Sequence, residues 1–219
     1  MPRNTMPANW IIRAAEKRDA PFLGWACVAA ARSHRLRGWF DIVLRRDEAF
    51  VNAYATALTL AAARSWWHWS LFRVADIDGV VVSAMCGFGD ESVYYKSSEA
   101  MAEASAKMDV PKAEHAQYWT RGAFIVSTAT SERNAWTIEN VATRAENRGA
   151  GVTLALVESE LDVARAAGFK RAQVSFFIGN TPAERLYGKA GFVFAEEKRA
   201  ADFEAAMGTP GTIRFARDL

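Results

Sequence analysis

Apolar and polar positions repeat along the first half of the chain with two different periods. Helical spacing of apolar residues over residues 22–32 and 47–64 predicts two amphipathic helices. Two mainly apolar runs, 71–75 and 80–84, flank an Asp-Gly dipeptide. Because Asp-Gly between β-forming runs is typical of a two-residue hairpin turn, we expect these runs to pair as antiparallel strands.

The second half of the chain alternates strands with helices. Runs rich in β-branched and aromatic residues predict strands over 136–143 and 171–177. Helices are predicted over 150–167 and 182–189, where apolar residues return at helical spacing and a glycine follows the last turn. The other predicted elements are strands over 10–14, 192–195 and 212–216, the last two joined by a loop, and exposed helices over 97–108 and 111–119.

This order of elements predicts the fold class. Strands and helices are interleaved, and neither an internal repeat nor a low-complexity linker divides the chain. We expect one α/β domain of the mixed α+β kind over residues 1–219, with helical insertions. The 219 residues, of which 51% are hydrophobic and 24% charged, can form a core without disulfides or a structural metal.

Charge and cysteine content argue against several classes of protein. The 27 basic and 25 acidic residues are interleaved and leave a net charge of +2, which is not the pattern of a dedicated nucleic-acid binder. Cys27 and Cys86 lie far apart without paired histidines, so no zinc site is expected. No apolar stretch is long enough for a signal peptide or a bilayer span, so we expect a cytoplasmic protein that binds no membrane.

A glycine-rich turn after the strand over 136–143 carries the clearest chemical signal. It reads Arg148-Gly149-Ala150-Gly151 and opens a helix. The first turn of a helix offers unpaired N–H groups and the positive end of the dipole, and glycines let a polyanion approach the backbone. The pattern indicates a phosphate or pyrophosphate cradle; the alternative is a flexible turn before a core helix. The sequence contains neither the Gly-Lys-Ser/Thr of a P-loop nor the GxGxxG of a dinucleotide site.

A second group of residues lies at the start of the helix over 182–189. Asn180, Ala183 and Tyr187 follow one another at helical spacing and therefore share one side. Taken singly, Asn180 is most simply a helix cap and Tyr187 a half-buried packing residue.

Together, the two groups resemble the GNAT superfamily of N-acetyltransferases. Residues 148–153 are similar to its Arg/Gln-x-x-Gly-x-Gly/Ala signature, and residues 180–192 are similar to its second conserved block. The sequence departs from the family at Thr153, where a small residue is usual, and at Ala145, where proline is common. Because Thr153 keeps its backbone N–H, the departure leaves phosphate binding intact and adds a hydroxyl.

The resemblance implies a fold and a reaction. The fold would be a central mixed, mostly antiparallel sheet flanked by helices, with insertions at about 33–69 and 90–135, where the resemblance fades. The reaction would move an acetyl group from the co-substrate acetyl-CoA to a primary amine of a small molecule or peptide, by direct attack in a ternary complex and without a metal. The protein would be a monomer or homodimer. The alternatives are a GNAT-like domain that senses acyl-CoA without turnover or serves as a scaffold, and a phosphate-binding protein unrelated to coenzyme A.

The resemblance also implies which residues bind the coenzyme. The backbone of Val141, Ala142 and Thr143 would pair with the pantetheine arm, and an N–H there would stabilise the oxyanion. Tyr187 would face the coenzyme sulfur and protonate the leaving thiolate. The pyrophosphate would bind to Arg148, Gly149, Ala150, Gly151, Val152 and Thr153, and the pantetheine arm would also contact Asn180, Ala183 and Tyr187.

Glu139 is the candidate general base. An alkyl ammonium has a pKa of about 10 and must lose a proton before it can attack. Strict alternation along the strand would place Thr137, Glu139, Val141 and Thr143 on one side, with Glu139 as the carboxylate that accepts this proton directly or through a water. The alternative is a strand carboxylate paired with an arginine.

The acceptor is expected near a dense aromatic run. Trp66, Trp67 and Trp69 follow one another closely, and their rings would suit a cation or an aromatic amine. The alternative, which clustered aromatics generally favour, is a core layer between helix and sheet.

Overall fold

A central sheet with helices on both faces is the main feature of the computed structural model, which describes residues 10–219. Residues 1–9, part of the predicted domain, lie outside the described residues. The strands are β1 (Trp10–Ala14), β2 (Phe72–Ile77), β3 (Val80–Phe88), β4 (Trp136–Thr143), β5 (Arg171–Phe177), β6 (Val193–Arg199) and β7 (Gly211–Asp218). The helices are α1 (Ala20–Arg32), α2 (Trp39–Leu44), α3 (Glu48–Thr59), α4 (Ser92–Tyr95), α5 (Ser97–Lys107), α6 (Lys112–Gly122), α7 (Val152–Ala166), α8 (Thr181–Lys189) and α9 (Ala201–Met207).

The sheet has the order β1-β2-β3-β4-β5-β7-β6. Only β4 and β5 run parallel; every other neighbouring pair in the described sheet is antiparallel. The predicted mixed, mostly antiparallel sheet is therefore confirmed. Within residues 10–219, no helix combines the length and apolar character that a membrane crossing needs, and the cytoplasmic location stays a prediction.

Local signals in the sequence explain several element boundaries. At the β2–β3 hairpin, Asp78 and Gly79 have φ values of 53° and 86°, the left-handed conformation that a tight hairpin turn requires. The predicted Asp-Gly hairpin is confirmed. Helix α7 ends before Gly168, which has a φ of 87° and acts as the terminating glycine.

Several helices differ from the sequence-based prediction. Helix α5, predicted to be exposed, buries Ala100, Met101 and Ala104 against α3. The helix predicted over 47–64 ends at Thr59, because the chain turns away where the Glu103 carboxylate accepts the N–H groups of Ala62 and Ala63. The six-residue α2, the four-residue α4 and the seven-residue α9 were not predicted, since segments of this length show too little periodicity. In α9 the segment expected to be a loop buries Phe203 and Met207.

Two cores lie on opposite faces of the sheet. On the first, named the α1 face, helices α1, α3 and α5 cover β2, β3 and β4. On the second, named the α7 face, α7 packs on β2, β3 and β4, and residues of α8 and β5 extend the same core. The two segments predicted as insertions, 33–69 and 90–135, contain α2 to α6. That they are additions to a family core within a single domain stays a prediction.

The parallel strands β4 and β5 diverge. They pair over three positions only, from Trp136 opposite Ala172 to Ile138 opposite Val174. From Glu139 onward, β4 has no partner on its β5 side in the described structure. This divergence leaves a gap in the middle of the sheet, with unpaired backbone of β4 along one wall.

A bulge interrupts β4 beside this gap. Ala142 pairs with Ala84 of β3 but Glu139 with Cys86, so β4 contains one extra residue, and Asn140 has a φ of 53°. The alternation predicted for this strand is therefore wrong. Glu139 lies with Cys86 on the α1 face, whereas Val141 packs against the core of the α7 face.

Candidate active site

The predicted site residues border the gap between β4 and β5 from three directions. The glycine turn follows the end of β4, Tyr187 lies on α8 on the α7 face, and Glu139 lies on β4 on the α1 face. Glu139 and Tyr187 lie on opposite faces of the sheet, and the charge of Glu139 acts on the Tyr187 phenol.

The glycine turn has the backbone that the sequence predicted. Gly149 and Gly151 have φ values of 79° and 82°, a conformation that residues with a Cβ rarely adopt. A Cβ built on Gly149 would contact no other atom, so this side of the turn is open. Helix α7 then runs for 15 residues. Its helical hydrogen bonds begin with the one from the Ala155 N–H to the Gly151 carbonyl, so the N–H groups before Ala155 have no partner within the helix. Open N–H groups at the positive end of a long helix suit an anion.

Side chains of the turn fix it to the end of β4. The exposed Arg148 donates from Nε to the Thr143 carbonyl at 3.2 Å. The hydroxyls of Thr143 and Thr153 lie 2.7 Å apart, and Thr143 is also 2.7 Å from the hydroxyl of Ser83. The Thr153 hydroxyl therefore anchors the helix to β4. Val152 is buried, so only its backbone is available to a ligand.

The backbone of Val141, Ala142 and Thr143 faces the gap after the bulge. Two of its carbonyls already accept hydrogen bonds, that of Ala142 from the Ser83 hydroxyl at 3.2 Å and that of Thr143 from Arg148. A carbonyl has two lone pairs, so both retain acceptor capacity.

Tyr187 lies under the gap in a stack of aromatic rings. Its ring is 5.7 Å from that of Phe176 on β5 and 5.9 Å from that of Phe192. The side chain is buried, and its hydroxyl makes no hydrogen bond within residues 10–219. Burial, together with the charge of Glu139, raises the pKa of this phenol, so it stays protonated at neutral pH.

Asn180 has the role that the simpler interpretation assigned to it. Its Oδ1 accepts the N–H of Ala183 at 3.2 Å, which caps α8, and its Nδ2 donates to the Ser33 hydroxyl at 2.7 Å. Ser33 follows the last residue of α1, so Asn180 ties two helices together. The Ala183 side chain packs against the α7-face core. A contact of Asn180 or Ala183 with a coenzyme stays a prediction.

Glu139 combines a buried carboxylate with a single hydrogen-bond partner. The residue keeps part of its surface accessible, but protein atoms surround the carboxylate. Tyr94 Oη donates to Glu139 Oε1 at 3.4 Å. Burial raises the pKa of Glu139 to about 7, although the bond from Tyr94 opposes the shift. No arginine or lysine pairs with this carboxylate in the described structure, so the ion-pair alternative is wrong.

The sequence model of the acetyltransferase (GNAT) family matches residues 39–192, which is more than half of the chain. The chain belongs to the GNAT family. No match was found among curated proteins. Many solved structures share the fold, including a crystal structure of an acetyltransferase with a TM-score of 0.71 and 17% identity, which covers 95% of this chain and 98% of its own.

Two further solved structures share the fold. An N-acetyltransferase from Staphylococcus aureus Mu50 has a TM-score of 0.69 and 17% identity, with 94% of this chain and 100% of that chain covered. The yncA protein of Salmonella typhimurium, solved with its cofactor acetyl-CoA, has a TM-score of 0.53 and 15% identity, with 96% and 94% covered. At these identities the likeness establishes the fold alone.

The tryptophans expected near the acceptor of this GNAT chain divide into two groups. Trp66 is half-buried against the α1-face core, with its ring 4.8 Å from that of Trp67 and 5.5 Å from that of Tyr94, whose hydroxyl reaches Glu139. Trp67 is buried against Trp39 and Phe40, as a core residue.

Trp69 stands apart from this approach. Its ring lies 5.4 Å from His68, and His68 bonds to Ser70. Trp69 has no ring contact with Trp66, Trp67 or Tyr94 in the described structure. Of these three tryptophans, Trp66 is the one whose ring contacts Tyr94 in the described structure, and a role of any of them in binding the acceptor stays a prediction.

Tyr94 is the site residue that the sequence analysis missed. It lies on the four-residue helix α4 and is separated from Glu139 by 45 positions in the chain. Its ring contacts Phe88 at 5.3 Å and Trp66 at 5.5 Å. The aromatic pair Tyr94-Tyr95 in an acidic segment was visible in the sequence, but nothing in the pattern indicated which ring would point toward β4.

Proposed function

We propose that this GNAT protein is an N-acetyltransferase that transfers the acetyl group of acetyl-CoA to a primary amine of a small molecule or peptide. One observation carries the proposal: a glycine turn with open backbone, a buried carboxylate and a buried phenol border the same gap between β4 and β5. The fold shared with a protein solved with acetyl-CoA supports it.

The residues around the gap fit coenzyme A. The open backbone at Gly149 and the first N–H groups of α7 suit a pyrophosphate, and the exposed Arg148 adds positive charge beside them. The unpaired edge of β4 from Glu139 to Thr143 offers N–H and C=O groups to the amides of an extended pantetheine arm. Bound acetyl-CoA supplies a thioester, the electrophile of the reaction.

Glu139 would remove the proton from the incoming ammonium. A carboxyl group with a pKa of about 7 is half ionised at neutral pH and holds a proton better than an exposed carboxylate does. It lies on the α1 face, where Trp66 and Tyr94 form an aromatic approach. Aromatic faces attract cationic amines. An ammonium would therefore pass Trp66 and Tyr94 and lose its proton to Glu139.

Tyr187 would donate the proton that the leaving thiolate takes up. Its phenol is protonated at neutral pH and lies on the face of the sheet opposite to Glu139. The base and the acid therefore act from opposite sides of the gap. This arrangement leaves room for direct attack of the amine, without an intermediate covalently attached to the protein.

The experiment that tests the proposal is a thermal shift with acetyl-CoA, followed by thiol release with a panel of primary amines. Acetyl-CoA at about one hundred times its Kd should stabilise the protein by about 2.7 kcal/mol, which raises Tm by about 5–10 °C. Absence of a shift with any acyl-CoA contradicts the proposal. A shift without thiol release from any amine favours the sensor or scaffold alternative.

Replacing Tyr94 by Phe tests its action on the candidate base. The Tyr94 hydroxyl stabilises the Glu139 carboxylate, so its loss should raise the pKa of Glu139 above about 7. The acid limb of kcat/KM against pH should then move to higher pH. Tyr95→Phe is the matched control, because Tyr95 is 84% exposed on the same helix. An acid limb that stays in place in Tyr94→Phe would contradict this role.

A further inference from the structure

An asparagine with an unusual backbone conformation lies at the bulge of β4. Asn140 has a φ of 53° and is buried in the middle of the strand. Residues with a Cβ rarely adopt a positive φ, although asparagine accepts it more readily than most. Such a conformation persists where the surrounding structure holds it in place.

The side chain of Asn140 ties the bulge to the neighbouring strand. Its Nδ2 donates to Cys86 Sγ on β3 at 3.4 Å, and both side chains are buried. Burial and the charge of Glu139 raise the pKa of the Cys86 thiol, so the sulfur is a neutral, weak acceptor. Asn140 is therefore bonded to the same residue that lies opposite Glu139 in the ladder.

The bulge decides on which face of the sheet Glu139 lies. Strict alternation counted back from Ala142 would place Asn140 opposite Cys86, and the preceding residue on the α7 face. The extra residue instead brings Glu139 opposite Cys86, on the α1 face. There Tyr94 Oη donates to Glu139 Oε1 at 3.4 Å. Without the bulge, the carboxylate and this donor would lie on opposite faces.

The two ends of β4 are fixed by contacts that do not involve the bulge. The hydroxyls of Thr143 and Ser83 lie 2.7 Å apart at one end. At the other, the indole of Trp136 donates to Glu160 Oε1 at 2.9 Å. The extra residue must fit between these anchors, and Asn140 is the one residue of β4 with a positive φ in the described structure.

We propose that Asn140 is a positioning residue, whose backbone conformation and whose bond to Cys86 hold the bulge that presents the Glu139 carboxylate to Tyr94. It acts through Glu139 and is not itself a catalytic residue. As a role in catalysis this rests on the proposed acetyl transfer, whereas the placement of Glu139 is measurable without activity.

The placement is measured by NMR titration of carboxyl-labelled glutamate in the full chain, with Glu139→Gln to assign the signal. Tyr94, Cys86 and Tyr187 respond to the charge of this carboxylate in the described structure. Burial raises the pKa of each, so all three stay neutral while Glu139 titrates at about 7. In the otherwise unaltered chain, Tyr94→Phe should move the titration to higher pH, because the bond to the carboxylate is lost.

Asn140→Val removes the amide and puts a β-branched residue where a positive φ is required. The carboxylate should then leave Tyr94, so adding Tyr94→Phe should no longer move the titration of Glu139. The value of kcat/KM for the amine should fall by about 10²-fold, as expected when a general base is misplaced. Asn140→Gly accepts the positive φ without strain and should restore the response to Tyr94→Phe.

Asn134→Val is the matched control. Asn134 has a φ of 61° and lies just before β4, but it is exposed. The same substitution there carries a similar backbone strain and should leave the response of Glu139 to Tyr94→Phe in place. If Asn140→Val does not fold, Cys86→Ala removes the acceptor of the amide with position 140 intact and should weaken the response.

A titration that moves with Tyr94→Phe by the full amount in the folded variant, Asn140→Val or Cys86→Ala, would overturn the proposal. Loss of the response in a protein that transfers no acetyl group would keep Asn140 as the residue that places Glu139. That result would contradict the proposed acetyl transfer alone.

Discussion

Replacing Glu139 by Gln is expected to lower kcat/KM for the amine by about 10²–10⁴-fold, the range that removal of a general base produces. Gln keeps the shape of the side chain and accepts the hydrogen bond from Tyr94, but it cannot take a proton. Binding of acetyl-CoA should be unchanged, because the glycine turn lies beyond the end of β4.

The raised pKa of Glu139 predicts the direction in which activity changes with pH. The folded-state pKa of Glu139 is raised to about 7, so below that pH the carboxyl is protonated and cannot act as a base. Activity of the unaltered protein should therefore fall as pH drops through about 7, and the residual activity of Glu139→Gln should lack this limb. Initial rates of thiol release across pH measure both.

An exposed carboxylate provides the control. Glu146 lies between β4 and the glycine turn and is exposed, so Glu146→Gln should keep both the rate and the pH profile. If Glu139→Gln retained full activity with the acid limb intact, the base would be another group, and the buried carboxylate would have a structural role only.

The sequence was most informative where one residue type dictates the backbone. The strands over 136–143 and 171–177 agree with β4 and β5 at both ends, because runs containing β-branched and aromatic residues stop before turn residues. The glycine turn was predictable for the same reason, since Gly149 and Gly151 adopt conformations that other residues disfavour. Both features are local, and a single sequence carries local information well.

The bulge in β4 could not be predicted from the pattern of apolar and polar residues. The strand reads as a regular alternation, and the extra residue becomes visible only when Glu139 and Ala142 are paired with β3. The asparagine at position 140 tolerates a positive φ, but a single asparagine does not by itself specify a bulge. As a result Glu139 was correctly selected as the carboxylate of β4, while its grouping with Val141 was wrong.

Contacts between distant segments account for the other differences. The bond from Tyr94 to Glu139 joins a short helix to a strand, and Asn180 reaches Ser33 across 147 positions. Neither pairing has a periodic signature. Trp66 was a candidate on the basis of its aromatic cluster alone; its ring contacts Tyr94, and its role toward an acceptor stays a prediction.

Replacing Tyr187 by Phe should produce the second large effect. We expect kcat to fall by about 10²-fold and the KM for acetyl-CoA to change much less. The variant keeps the ring, so the contacts with Phe176 and Phe192 survive and the fold should be intact. Only the hydroxyl is lost. The raised pKa makes this phenol a weak acid, so the effect belongs at the lower end of the range for acid–base catalysis.

Single-turnover rates separate this role from a role in binding. In Tyr187→Phe the rate of the chemical step should fall at saturating acetyl-CoA, and the thermal shift produced by acetyl-CoA should stay the same. Tyr95→Phe again serves as control, since its exposed ring is remote from the stack that holds Tyr187. Tyr187→Phe should lower the rate by a similar factor with every amine acceptor, because the thiolate that leaves is the same for every amine. An unchanged kcat would remove Tyr187 from the mechanism and leave protonation of the thiolate to solvent.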